Sequence, residues 1–311
     1  MNAITPGKDK LGFIGIGYMG RPIAQRLLQA GFQLTAYDRD RSKAQELVQY
    51  GGTVADSIAQ LASGCDVLLS CLPNDEVVMS VYNGADGAFA GARRGALCID
   101  MSTVYPETSK KLAELGAKPG VDVLDVTISG STPFAEQGTL VLFGGGDRER
   151  FDAAEPIFRA IARKYFHVGP SGSGATMKLV VNSLLGIGMQ AIAEAVALGE
   201  KAGLERNRLL EVLSQTAVVA PAHVGKFQRA MNNDYSPQFP LRLMNKDFGL
   251  IIKLAAAVGA QMPAAQAALE VNSAQLTPGI EQDFSAVILQ MEKQAHLDSA
   301  DKKRTGIGAG Q

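Results

Sequence analysis

Gly15-Ile16-Gly17-Tyr18-Met19-Gly20 spaces three glycines as G-x-G-x-x-G, and Asp38 follows Gly17 by 21 residues. This spacing suits the binding of a pyrophosphate. Gly15 permits a tight turn, Gly17 lets the backbone approach the anion, and Gly20 lets a helix pack close to a strand. With Tyr18 and Met19 they open a helix whose free N–H groups and positive dipole end face the phosphates. Lys10–Gly15 (KLGFIG) reads as the strand before the loop, and Gln33–Tyr37 (QLTAY) as a second strand ending at Asp38. A lone glycine motif is weak, but this context makes it a strong dinucleotide signal. Asp38 can accept hydrogen bonds from the ribose hydroxyls of NAD and would repel the extra phosphate of NADP, whereas Arg39 could hold that phosphate. NAD is the favoured cofactor, with NADP as the alternative.

Lys178 and Asn182 stand four residues apart in GSGATMKLVVN, on one face of a helix. Their neighbours are apolar, so Lys178 would be partly buried. Burial penalises the charged form and lowers a lysine pKa, which suits a general acid/base near neutrality. On these residues alone, a lysine reaching to solvent along an apolar surface and a surface asparagine is the stronger reading.

The elements that must position these groups follow from hydrophobic patterning. Arg21–Ala30 and Ser42–Tyr50 read as helices closed by Gly31 and by Gly51-Gly52. Asp66–Cys71, Ala96–Ile99, Val121–Val126 and Thr139–Gly144 are apolar runs of strand length. Continuous apolar strands alternating with helices imply a parallel sheet covered on both faces. From Gly174 onward the pattern is helical, with Ala175–Ala202 as one helix about 40 Å long at 1.5 Å per residue. Further helices are expected at about 205–215, 220–232, 245–258, 262–275 and 283–295. The expected fold is an α/β Rossmann domain with a doubly wound, mostly parallel sheet, joined by the long helix to an all-α C-terminal domain. The boundaries fall at 1–9 (flexible tail), 10–170, 171–203 (interdomain helix), 204–297 and 298–311 (flexible tail).

The 311 residues carry 30 Lys+Arg against 31 Asp+Glu, and 46% are hydrophobic. Near-zero charge gives no pull toward nucleic acid or acidic lipid, and the hydrophobic content describes a core-forming chain. Cys65, Cys71 and Cys98 lack metal-type spacing and read as reduced thiols in apolar runs, as in a cytoplasmic protein. The three histidines are far apart in sequence, so no metal is expected. The apolar stretch Leu179–Ala193 carries Asn182, Ser183 and Gln190 and is shorter than the ~20 residues of a bilayer span. It reads as a buried helix, with no secretory signal before it.

Together these motifs resemble the β-hydroxyacid dehydrogenase family, which includes 3-hydroxyisobutyrate dehydrogenases and tartronate semialdehyde reductases. The resemblance runs from about Leu11 to about Glu292. It implies hydride transfer between a nicotinamide cofactor and a small carboxylate substrate, with Lys178 as general acid/base. It also implies that Leu72-Pro73 pack near the adenosine half and that Ser102 and Thr103, in a D-x-S-T-x-x-P segment ending at Pro106, contact the nicotinamide end. Lys246-Asp247 resembles the family's C-terminal K-D motif, whose lysine reaches toward the cofactor. Asp125–Ser131 corresponds to the substrate loop D-A-P-V-S-G-G, with Thr127 in place of Pro and Ser131 in place of Gly. Ser129, Gly130 and Ser131, with Asn182, would orient the substrate in a cleft beside the long helix. The altered loop leaves the substrate open; it lacks the arginine that relatives use for a sulfonate, so a carboxylate is favoured. The family further implies a homodimer or homotetramer. The alternatives are an imine or other carbonyl reductase of the same fold, which usually replaces the lysine, and a non-catalytic NAD-binding sensor or scaffold.

Overall fold

The computed structural model describes residues 3–297. They form two compact units, the first ending at Leu179 and the second beginning at Val180.

The first unit is built on one eight-stranded sheet: β1 (Lys10–Ile14), β2 (Gln33–Tyr37), β3 (Thr53–Val54), β4 (Val67–Ser70), β5 (Leu97–Asp100), β6 (Asp122–Ser129), β7 (Leu140–Gly145) and β8 (Ala162–Gly169). The strand order is β3-β2-β1-β4-β5-β6-β7-β8. Alternate residues of each central strand feed two separate cores. Leu11, Phe13, Val67, Leu69, Leu97 and Ile99 pack on one face, whereas Ile14, Leu68 and Cys98 pack on the other. Side chains with a period of two, apolar at every position, are what a sheet covered on both sides requires.

The chain winds outward from β1 to β3 and returns to the middle as β4. The order therefore reverses between β1 and β4, the place where open α/β sheets bind ligands at the carboxyl ends of their strands. Gly15, Asp38, Cys71-Leu72, and Met101-Ser102 directly follow the ends of β1, β2, β4 and β5, so these candidate cofactor segments of the first unit share one edge of the sheet, whereas Lys246 and Asp247 lie on a helix of the second unit.

Several elements differ from their sequence reading. The pair β6–β7 is antiparallel, while every other pairing in the sheet is parallel. The ten residues between Ser129 and Leu140 hold only the short helix Thr132–Glu136, too little chain for a parallel crossover of a dozen or more residues. Helix Ser42–Tyr50 is broken into Arg41–Gln45 and a 3-10 turn Val48–Tyr50. Residues 3–9 are not loose: Ile4 is buried in the core and its N–H donates to the Ala153 carbonyl at 2.9 Å, while Asp9 accepts from the Thr5 N–H. The expected C-terminal tail, 298–311, lies outside the described residues.

The long helix, Ser173–Lys201, begins in the first unit and continues into the second, so the units divide within it and not at its ends. By length and composition it is able to cross a bilayer. The expectation that it is too short came from its most apolar stretch, and the helix extends beyond that stretch in both directions. Half of its apolar window is buried inside the protein, and its buried residues include Asn182, Ser183 and Gln190.

The remaining helices of the second unit are Arg206–Ser214, Pro221–Met231, Leu241–Val258, Pro263–Gln275 and Val287–Gln294, the last preceded by a 3-10 turn at Phe284–Ala286. Helix Leu241–Val258 starts four residues before its expected onset, directly after Pro240, because Leu241 and Met244 join its buried face.

Candidate active site

The glycine loop has the backbone that its spacing implies. Gly15 lies at φ +94°, and a Cβ there would sit 2.3 Å from the Cys71 carbonyl oxygen. A Cβ on Gly20 would lie 1.8 Å from the Gly15 carbonyl oxygen, so helix Gly20–Gln29 meets the turn more closely than any side chain permits. Gly17 is different: a Cβ there meets nothing within 4 Å. The N–H groups of Gly17, Tyr18 and Met19 find no backbone acceptor among the described residues. Open amides at a helix start, with free space over Gly17, fit a diphosphate.

Asp38 braces this loop. One carboxylate oxygen accepts from the Ile16 N–H at 2.7 Å and the other from the Asp40 N–H at 2.9 Å. Each oxygen keeps a lone pair for a ribose hydroxyl. Arg39 is exposed and makes no ion pair with any described residue.

The ends of β4 and β5 carry a buried polar chain. The Tyr82 hydroxyl lies 2.8 Å from Ser70 Oγ, which donates to Asp100 Oδ1 at 2.6 Å. The Ser102 hydroxyl donates to the same oxygen at 2.6 Å and accepts from the Leu72 N–H at 2.9 Å. Ser102 is therefore turned inward, fixing the Leu72-Pro73 turn instead of presenting its hydroxyl outward. Thr103 is half-buried. Burial pushes the Asp100 carboxyl up to about 6, although the two serine hydroxyls oppose the shift.

The loop expected to hold the substrate leaves β6 at Ser129. Gly130 is exposed at φ +128°, Ser131 is half-buried, and their N–H groups make no hydrogen bond with described residues. Thr127 is only 1% exposed, and its hydroxyl donates to the Gly174 carbonyl at 2.8 Å. The Thr-for-Pro exchange therefore alters how the loop is held and adds nothing to its open surface. Asp125, also buried, accepts from the N–H groups of Gly172 and Ala175, both at 2.9 Å. Its importance was missed in the sequence; the readable signal was an acid in an apolar strand. Lys178 is half-buried in the second turn of the helix that Asp125 and Thr127 hold.

The second unit carries its own cluster. Asn182 is 1% exposed and its amide donates to Asp247 Oδ2 at 2.6 Å, while Lys246 pairs with Asp247 Oδ1 at 3.0 Å. The amide oxygen of Asn182 is buried without a hydrogen-bond partner among the described residues. Asp247, expected at the cofactor, is itself buried and spends its carboxylate on Asn182 and Lys246. Among the described residues no three His, Cys, Asp or Glu side chains gather at a point that could hold a metal.

Comparison with known proteins accounts for both units. Residues 10–169 match the family model for the NAD binding domain of 6-phosphogluconate dehydrogenase. Residues 172–291 match the family described as NAD-binding of NADP-dependent 3-hydroxyisobutyrate dehydrogenase. A 3-hydroxyisobutyrate dehydrogenase of Pseudomonas aeruginosa is 39% identical over 260 residues, covering 81% of this chain and 87% of that protein. Glyoxylate/succinic semialdehyde reductase 1 of Arabidopsis thaliana is 35% identical over 280 residues, covering 90% and 97%. The solved 3-hydroxyisobutyrate dehydrogenase of Mycobacterium tuberculosis, with L-serine, superposes with a TM-score of 0.79 at 31% identity, covering 91% of this chain and 99% of that one. With a dinucleotide loop, a donor loop and the helix that bears Lys178 all built on one sheet, this chain belongs to the β-hydroxyacid dehydrogenase family of nicotinamide-dependent oxidoreductases.

Proposed function

We propose that the enzyme interconverts a small carboxylated β-hydroxy acid and its semialdehyde, with Lys178 as general acid/base and NAD as the preferred cofactor. The observation that carries this reading is the sharing of one unit by the glycine loop, the Ser129–Ser131 loop and Lys178. The open N–H groups of Gly130 and Ser131, with the Ser131 hydroxyl, suit a substrate carboxylate. In the oxidative direction Lys178 takes the hydroxyl proton, and in reduction its ammonium form returns that proton to the carbonyl oxygen. Bound nicotinamide accepts or supplies the hydride. Asp38 supports NAD, since a carboxylate at the ribose repels a 2′-phosphate.

The exposed apolar side chains Val180, Leu184 and Leu198 on the long helix support a homodimer or homotetramer. Three free cysteines, two of them buried, support a reducing, cytoplasmic setting.

The test follows absorbance at 340 nm with tartronate, methylmalonate and succinate semialdehydes and glyoxylate, each with NADH and NADPH. One aldehyde turned over with a clear preference for NADH is expected. Lys178→Ala is expected to lower kcat roughly 10²–10⁴-fold while cofactor binding survives. A variant with near wild-type kcat would remove Lys178 from its role, and a preference for NADPH would transfer the cofactor argument to Arg39.

A further inference from the structure

We infer that Asp125 and Thr127 are positioning residues that register the Lys178 helix against the strand presenting the substrate loop. The inference rests on the role of Lys178 given above. Asp125, Thr127 and Ser129 alternate along β6, so their side chains lie on one face of the strand. The first two grip the start of helix Ser173–Lys201. Asp125 accepts from the N–H groups of Gly172 and Ala175, which satisfies donors that a helix start leaves unpaired. Thr127 donates to the Gly174 carbonyl. In an α-helix that carbonyl also accepts the N–H four residues on, which is that of Lys178 itself. A single carbonyl thus ties the strand to the backbone of the proposed acid/base.

The contact is as close as backbone allows. A Cβ on Gly174 would lie 2.2 Å from the Asp125 carbonyl oxygen and 2.6 Å from that of Phe143. The helix start therefore rests on β6 and β7 directly. Two residues beyond Thr127 the same strand ends in Ser129 and the donor loop. Four residues beyond Gly174 the helix reaches Lys178, about 6 Å along its axis. The substrate carboxylate and the lysine ammonium are thereby referred to one rigid strand. Burial raises the Asp125 carboxyl above its usual range, which is the cost of placing the anchor inside the protein. Proton transfer needs the lysine within hydrogen-bond reach of the substrate oxygen, and a displacement of about 1 Å is able to lower the rate 10²-fold.

Thr127→Val removes the hydroxyl and keeps the shape. It is expected to lower kcat roughly 10- to 100-fold, with the cofactor KM unchanged and the melting temperature close to that of wild type. Thr127→Ser restores the hydroxyl and is expected to restore kcat. In a Lys178→Ala background, Thr127→Val is expected to add no further loss, since it acts through the lysine. Wild-type kcat in Thr127→Val overturns the inference. So does a parallel loss of kcat, cofactor binding and melting temperature, or a full further loss in the Lys178→Ala background. The two readings fail separately: near wild-type activity of Lys178→Ala removes the acid/base role, whereas an inactive Lys178→Ala beside a fully active Thr127→Val removes only the positioning role.

Discussion

Asp100 shows how one carboxylate ties the two strand ends next to the dinucleotide loop. Its Oδ1 receives the Ser70 and Ser102 hydroxyls and the Ser102 N–H, while its Oδ2 is buried without a partner among the described residues. Desolvation wins, and the folded carboxyl titrates near 6 instead of 3.8. The folded state then holds a proton that the unfolded state has released, so this group makes stability fall as pH rises through that window. The shift corresponds to on the order of 3 kcal/mol. Asp100→Asn, which does not ionise, is expected to gain on wild type by about that amount between pH 4 and pH 7 in urea unfolding; parallel stability curves would refute it. At this scale the sequence was legible where backbone geometry dictates residue type. Gly15 and Gly20 are forced by close approach, and Asp38 by its place after a strand. It was illegible for Ser102, because a serine next to a cofactor edge can point either way and only the position of Asp100 decides. The effect of Thr127 was left open for the same reason: it stands in the expected substrate loop, and only the structure shows that its hydroxyl faces the helix.

Elements were readable where burial is two-sided. The runs that became β1, β4 and β5 are apolar at nearly every position, which a half-exposed strand does not need. The last strand, β8, carries Arg163 and Lys164 and is exposed at four of its eight positions, so its sequence lacks that signal. The two-residue strand β3 is too short to leave one. In the second unit, Asp283 does the joining that periodicity does not reveal. It pairs with buried Lys226 of helix Pro221–Met231 at 2.8 Å and accepts from the N–H groups of Gln238 and Phe239, both at 3.0 Å. It also takes the N–H and hydroxyl of Ser285 in the 3-10 turn. Burial lowers the Lys226 pKa while Asp283 opposes that shift. Asp283→Ala would strand a buried ammonium and several amides. The expected cost is about 3–5 kcal/mol, the range for breaking a buried pair from one side. Asp283→Asn keeps one acceptor oxygen and is expected to cost less. Chemical unfolding of both variants checks the order, and an Asp283→Ala variant within ~1 kcal/mol of wild type would contradict the account.

At the scale of the whole molecule, the long helix poses the question of what its outer face meets. At 100° per residue, Val180, Leu184, Ala191, Ala195 and Leu198 fall within about 60° of one another, a stripe some 27 Å long. All five are exposed, Leu184 and Leu198 each at 72%. Contiguous apolar surface of this extent marks an interaction site in proteins that work in water. Lipid fits the rest of the helix poorly, because Asn182 lies on the opposite face, Gln190 lies buried on the flank, and Glu194 lies exposed about three-quarters of the way along the helix, hydrogen-bonded to Gln190 at 2.8 Å. Another copy of the chain fits better, since two such stripes could bury each other while leaving the glutamates at the rim. Leu184→Lys combined with Leu198→Lys is expected to reduce the mass measured by light scattering to that of a single chain. Both side chains are exposed, so the helical circular dichroism should persist. A wild-type protein that is already monomeric at micromolar concentration, or a double variant that stays assembled, would show that this stripe is not where copies of the chain join.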